Sequence, residues 1–221
     1  MSRLYFAALG SVMASVMLLV SHGVWAADSI TVADFSSAAA GERVPAGWEL
    51  KEKSGTADIA VVKDGEVSAV RFRCNNASFS LQKEVKVGLK QFPVLTWKWK
   101  VTKLPAGGDF RKSKTDDQAA QVFVAFTKAK SIVYIWDTNA PQGLMEDTTP
   151  VFFMHVKVVV VRSGPAETGK WIAETRNVYE DYKKLFGDEP PAVSGMRLQV
   201  NSQHTGTSAE SYFADVAFKK Q

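Results

Sequence analysis

The sequence predicts an all-β fold, a two-sheet β-sandwich of jelly-roll type with one short helix. Three observations carry this. Residues 95–101 alternate Leu95, Trp97, Trp99 and Val101 with Thr96, Lys98 and Lys100, a period of two that a helix would scatter around its axis. About ten such short runs follow one another, separated by turn residues, the pattern of a sandwich rather than of a parallel α/β sheet. Only residues 178–186 show a helical period.

The elements follow in order. Residues 30–35 read as a first strand, and the turn chemistry from Gly41 through Pro45 to Gly47 precedes Trp48, which opens the next extended stretch. Residues 58–63 and 67–74 flank Asp64-Gly65, a dipeptide favoured in two-residue hairpin turns because both positions reach positive φ. Residues 78–85 alternate Phe79 and Leu81 with Ser78, Ser80 and Gln82. Residues 122–126 are apolar on both faces, as expected of a strand covered on both sides. Residues 131–136 bring Ile132, Tyr134 and Trp136 to one face. Residues 151–161 are strongly β-branched, with Phe152, Met154, Val156, Val158 and Val160 forming an apolar face against Phe153, His155 and Lys157. Residues 170–177 oppose Trp171, Ala173 and Thr175 to Ile172, Glu174 and Arg176.

Val178, Tyr182 and Leu185-Phe186 then recur at helical spacing, Gly187 caps the helix and Pro190-Pro191 prevents its resumption. Residues 196–201 and 211–219 are the closing strands, the second with Tyr212, Ala214, Val216 and Phe218 on one face. No repeat or linker divides the chain, so residues 27–221 are read as one domain.

Residues 1–26 are read as a signal peptide. Arg3 precedes an uncharged apolar run over residues 4–20, and Val24-Trp25-Ala26 fits cleavage after Ala26. The rival reading is an uncleaved anchor. Export implies a periplasmic or secreted protein without stable membrane insertion. Removing Arg3 leaves 26 basic against 23 acidic residues, net +3, too weak a charge for nucleic acid. Cys74 is the only cysteine, so no disulfide forms within the chain. It shares a strand face with Val70 and Phe72 and is expected to be a buried, inert thiol.

Several stretches resemble a family of secreted bacterial proteins known as domain of unknown function 3047. They are Trp97-Lys98-Trp99, residues 114–124 beginning Lys114-Thr115-Asp116-Asp117-Gln118, Tyr134-Ile135-Trp136, residues 176–182 with Phe186-Gly187 and Pro190-Pro191, and Tyr212-Phe213-Ala214-Asp215-Val216. The resemblance implies a sandwich similar to carbohydrate-binding modules and leaves activity unassigned. The family tends to place an Asp-x-Asp-like turn before its last strand. This chain has Asn201-Ser202-Gln203-His204-Thr205 there, which puts any cation site of that turn in doubt.

Three groups of residues carry candidate chemistry. Asp116 and Asp117, adjacent at a strand entrance, supply hard oxygens of the kind Ca²⁺ takes; the alternative is that Asp116 turns the chain while Asp117 faces water or pairs with Arg111 or Lys114. Calcium is the one cofactor the sequence suggests. Tyr134 and Trp136, with Asp137, His155 and Arg176, are the candidate ligand contacts, because sugars stack on aromatic faces and take polar contacts at their edges. Burial is the competing reading for Trp97 and Trp99 especially, and a satisfied sheet histidine for His155.

No G-x-S-x-G or H-E-x-x-H motif occurs, and no strand carries carboxylates at alternate positions. The function expected is a non-catalytic exported module that binds a carbohydrate or similar polar ligand. The alternatives are an accessory subunit docking on an envelope protein complex and, behind it, a glycan-acting hydrolase with carboxylates drawn from several strands.

Overall fold

The computed structural model describes residues 27–147 and 154–221. The signal peptide read at residues 1–26, and Phe152 and Phe153, lie outside the described residues. The strands run β1 (Ser29–Ala33), β2 (Glu49–Ser54), β3 (Asp58–Asp64), β4 (Val67–Asn75), β5 (Ser78–Val87), β6 (Val94–Lys103), β7 (Ala120–Ala125), β8 (Lys130–Asp137), β9 (Met145–Asp147), β10 (His155–Ser163), β11 (Ile172–Asn177), β12 (Val193–Asn201) and β13 (Ser208–Lys219). The α-helix α1 is Val178–Phe186, as its period predicts. Asn177 caps it by accepting from Glu180 N–H, and Gly187 ends it in the left-handed conformation.

The strands form two sheets. One is ordered β11-β6-β13-β4-β3, with β1 also pairing β13; the other is β2-β5-β12-β7-β8-β10-β9. The expected two-sheet β-sandwich is therefore present. Between the sheets lies an aromatic core. Trp97 and Trp99 of the first sheet meet Tyr134 and Trp136 of the second, with ring centroids 5.4 Å apart for Trp97–Tyr134 and 5.9 Å for Trp99–Trp136. All four are fully buried. Truncating such a side chain to Ala costs roughly 3–5 kcal/mol.

The edge of the sandwich is closed by charge. Arg162 on β10 pairs with Glu174 on β11 at 2.6 Å, and the same Glu174 oxygen accepts from Trp99 Nε1 at 3.1 Å.

Three local expectations need correction, and one strand pairing is not legible in the sequence. The β3–β4 turn is Gly65-Glu66, because Asp64 pairs with Val67; only Gly65 is at positive φ, 62°, so the turn needs one glycine-type position rather than two. In β13, Asp215 at φ 51° sits in a bulge where the pairing to β6 slips between Ala214 and Ala217. The bulge reverses the alternation, so Phe213, Val216 and Phe218 face the core and Tyr212 faces outward. In β10 both faces are apolar. Val159 and Val161 join the main core, while Val158 and Val160 belong to a second cluster on the outer face of the seven-stranded sheet. Finally, β10 runs parallel to β8, so the crossover between them passes through β9 and residues outside the described set.

Candidate functional site

The outer face of the seven-stranded sheet is built by alternation. On β12, Met196, Leu198 and Val200 point into the core, so Arg197, Gln199 and Asn201 point out. On β7, Val122 and Val124 point in, so Gln121 and Phe123 point out. The register then sets rows across the sheet. Arg197 pairs with Phe123 on one side and Gln82 on the other, and Val133 continues the row. The next row is Ser80, Gln199, Gln121 and Ile135. One half of this face is thus polar and the other apolar.

The apolar half is partly roofed. Phe110, in the loop between β6 and β7, packs with Phe123, Val133, Ile135, Val158 and Val160. The polar half floors a groove, with Gln199 half-buried and Gln121 and Asn201 buried beneath it. A groove of about 490 Å³ is lined by Lys53, Asp116, Gln121, Gln199, Asn201 and His204, among others. It continues into a space of about 750 Å³ toward Glu49, Glu84, Lys128 and Gly195, and Phe123, Met154 and Arg197 line both parts. These volumes fall in the range of small-ligand sites, roughly 300–1,000 Å³.

A hydrogen-bonded ladder fixes the polar floor. Gln199 Nε2 donates to Gln121 Oε1 at 3.3 Å, and Gln121 Nε2 donates to Asn201 Oδ1 at 2.6 Å. The same Asn201 oxygen accepts from the backbone N–H of Gln118 at 2.9 Å, and Asn201 Nδ2 donates to the Asp116 carbonyl at 2.7 Å. Gln203 Oε1, in the wall, is buried without a hydrogen-bond partner. Arg197 lies over Phe123, 3.9 Å from guanidinium carbon to ring centroid. Burial pushes its pKa below the ordinary arginine value.

The structure separates Asp116 from Asp117. Asp117 is fully buried, and its two oxygens accept from the backbone N–H groups of His204 at 3.3 Å and Thr205 at 2.6 Å. It therefore ties the loop before β13 to the loop before β7. Asp116 lines the groove and accepts from Gln118 Nε2 at 2.9 Å; burial raises its carboxyl above the ordinary value. Of the expected Ca²⁺ pair, Asp117 thus has both oxygens engaged by backbone donors, while Asp116 faces the groove. Among the described residues no group of three or more His, Cys, Asp or Glu side chains is placed to hold a metal.

The ligand contacts expected from sequence are also redistributed. Tyr134 and Trp136 offer a ligand no surface, because both are buried between the sheets. Tyr134 donates its hydroxyl to Asp181 at 2.9 Å, and burial first, then the Asp181 carboxylate, holds that hydroxyl well above its usual pKa. Arg176 binds Asp181 through two hydrogen bonds, 2.9 and 2.5 Å, and lies over the Tyr134 ring, so it completes a buried network beside α1. Asp137 is fully buried and accepts from the N–H groups of Phe110, Asn139 and Ala140. It touches no open groove, but it pins Phe110 over the apolar half. His155 is exposed at the start of β10 and lines neither part of the groove. Of the residues that do line it, Arg197, Gln199 and Asn201 carry a signal in the outward alternation of residues 196–201, while Gln121 lies on β7 just before the apolar run 122–126.

No helix among the described residues is long and apolar enough to cross a membrane. No curated protein matches the chain. Solved structures to which it is similar include the family 11 carbohydrate-binding module of a cellulosomal cellulase of Clostridium thermocellum, at 6% identity and TM-score 0.45, covering 89% of this chain and 97% of that one. The xyloglucanase domain of NopAA from Sinorhizobium fredii matches at 11% identity and TM-score 0.46, covering 86% and 100%. The family 11 xylanase from Neocallimastix patriciarum matches at 10% identity and TM-score 0.44, covering 87% and 100%. The model of the family described as protein of unknown function (DUF3047) matches residues 46–217, and the chain belongs to that family.

Proposed function

We propose that the protein is a non-catalytic binding module that holds a saccharide chain in the outer groove of its seven-stranded sheet. The observation that carries this reading is the amide ladder of Gln199, Gln121 and Asn201 beside the Arg197–Phe123 stack. Amides and a guanidinium supply donors and acceptors in fixed planes, which suits a ligand rich in hydroxyl groups.

One observation speaks against the docking reading. A docking subunit would offer a broad apolar patch. Among the described residues the large exposed hydrophobics are only Val44 and Met154.

The reading places the protein outside the cytoplasm, with mature protein beginning at Ala27, which N-terminal sequencing of exported material checks. Binding is tested by calorimetry of the mature protein against a panel of soluble oligosaccharides, with Gln199→Ala as the groove variant. The expected result is at least one ligand whose affinity falls about tenfold in the variant, on the order of a lost hydrogen bond to a polar group. A ligand bound with undiminished affinity by Gln199→Ala and by Gln121→Ala would move the site elsewhere.

A further inference from the structure

Four arginines are partly buried in the described residues, and three of them are neutralised. Arg71 meets Asp58 at 3.3 Å, Arg162 meets Glu174 at 2.6 Å, and Arg176 meets Asp181 at 2.5 Å. Arg197 is the fourth. Its contact is the Phe123 ring, and no carboxylate among the described residues pairs with it. A ring face takes up the face of a guanidinium and leaves its N–H donors without acceptors. None of the Arg197 nitrogens is a buried unpaired atom, so they stay open to the groove, where an anionic acceptor can reach them.

The surroundings do not provide one. Glu49 is committed to Lys51 and Gln82. Glu84, exposed on β5, sits opposite Gly195 rather than opposite Arg197. Asp116 is at the far end of the groove, bonded to Gln118. Lys53 and Lys128 add positive charge at the two ends.

We propose that the ligand of this groove is an acidic saccharide chain, with an anionic oxo group, a carboxylate or a sulfate ester, seated on Arg197. A planar fork of N–H donors pairs with two oxygens of such a group at once, which a lysine in the same place would not do. Phe123 holds the guanidinium flat, and the amide ladder alongside takes the hydroxyl groups of neighbouring sugar units. Arg197 then acts as the residue that sets specificity. The inference rests on the groove being a saccharide site.

The test is calorimetry of the mature protein against oligosaccharides of matched length: a polyuronate, the same chain with its carboxylates methyl-esterified, and a sulfated chain. Arg197→Gln and Arg197→Lys are measured alongside the wild type, each with a thermal melt. The expected result is a polyuronate or sulfated chain bound at least tenfold more tightly than the neutral ester, with that preference lost in Arg197→Gln, partly kept in Arg197→Lys and reduced by added salt. The two anionic arms show which group is recognised. Equal binding of acid and ester by the wild type overturns the proposal even where Arg197→Gln fails to fold, since it needs no variant. A neutral chain bound in the groove with Arg197→Gln unaffected keeps the saccharide site and overturns the acidic ligand. No binding by any chain overturns both.

Discussion

Asn201 joins the fold to the groove, and removing its amide should show in both. Asn201→Ala deletes three hydrogen bonds: from the Gln118 N–H at 2.9 Å, from Gln121 Nε2 at 2.6 Å, and to the Asp116 carbonyl at 2.7 Å. Gln118 and Gln121 are buried, so their donors lose a partner without regaining full hydration. At about 1 kcal/mol net for each bond, and more where a buried donor is left unsatisfied, the loss comes to roughly 2–4 kcal/mol. For a domain of this size, 1 kcal/mol shifts Tm by about 2–4 °C, so a fall of roughly 5–15 °C is expected. Urea denaturation measures the change directly, through a lower midpoint at an unchanged slope. Asn201→Asp is the shape-matched comparison. It keeps the acceptor and turns the donor to Asp116 into a carboxylate oxygen against a carbonyl, so it should also destabilise. A loss under about 0.5 kcal/mol in Asn201→Ala would show that water replaces the amide freely, and the ladder would not be what fixes the groove floor.

Other outcomes follow from the same structure. Gly108→Ala places a Cβ 2.5 Å from the Asp117 carbonyl oxygen and 3.1 Å from Thr138 Oγ1, so a loss of about 1–3 kcal/mol is expected in urea melts; an unchanged midpoint would mean that the loop yields without cost. Cys74 is buried, and burial pushes its thiol pKa up despite the Ser202 and Ala77 contacts, so native protein should resist thiol reagents and react only on unfolding. Rapid labelling of the native state would contradict that packing. Asp116 has a folded pKa raised above 3.8 by burial, so its contribution to stability is present below 3.8 and is lost as pH rises through the raised value. Asp116→Asn, measured against wild type from pH 3 to 7, should gain relative stability as pH rises over that window; a constant difference would refute the assignment. Removing the Asp116 charge should also strengthen binding of an acidic chain, as seen by calorimetry at neutral pH.

The sequence made the sandwich legible because burial on one face imposes a period of two, and residues 95–101 and the helix at Val178–Phe186 keep their periods without interruption. It was less informative where one residue changes the parity. The bulge at Asp215 turns Phe213 inward and Tyr212 outward, and nothing in the residue types announces it. The aromatic residues misled for a related reason. Tyr134 and Trp136 have the chemistry of a sugar platform, but the sheet carrying them presents that face to Trp97 and Trp99. Asp117 looked like a ligand because it is charged, yet two backbone N–H groups from a distant loop use both its oxygens. That contact joins positions 87 and 88 residues apart and leaves no local pattern. Arg197 was readable as an outward residue on its strand. Its lack of a carboxylate was not, since pairing depends on which strands become neighbours.

The placement of the groove has a consequence for the proposed binding of a saccharide. Arg197, Gln199 and Asn201 alternate with Met196, Leu198 and Val200, which are buried between the sheets. Shifting the groove residues along their strand by one position would therefore expose the core. Gln121 and Phe123 are held in the same way by Val122 and Val124. The polar floor is thus anchored to the best-packed part of the molecule rather than to a loop, and its amides are already hydrogen-bonded to one another. A ligand entering it meets groups in fixed positions and costs little side-chain ordering, which favours affinity from few contacts. Freedom is left at the ends of the groove, where Lys53 and Lys128 have long flexible stems. Selectivity should accordingly reside in the central Arg197 row, and substitutions at the two lysines should change the salt dependence of binding more than the choice of ligand.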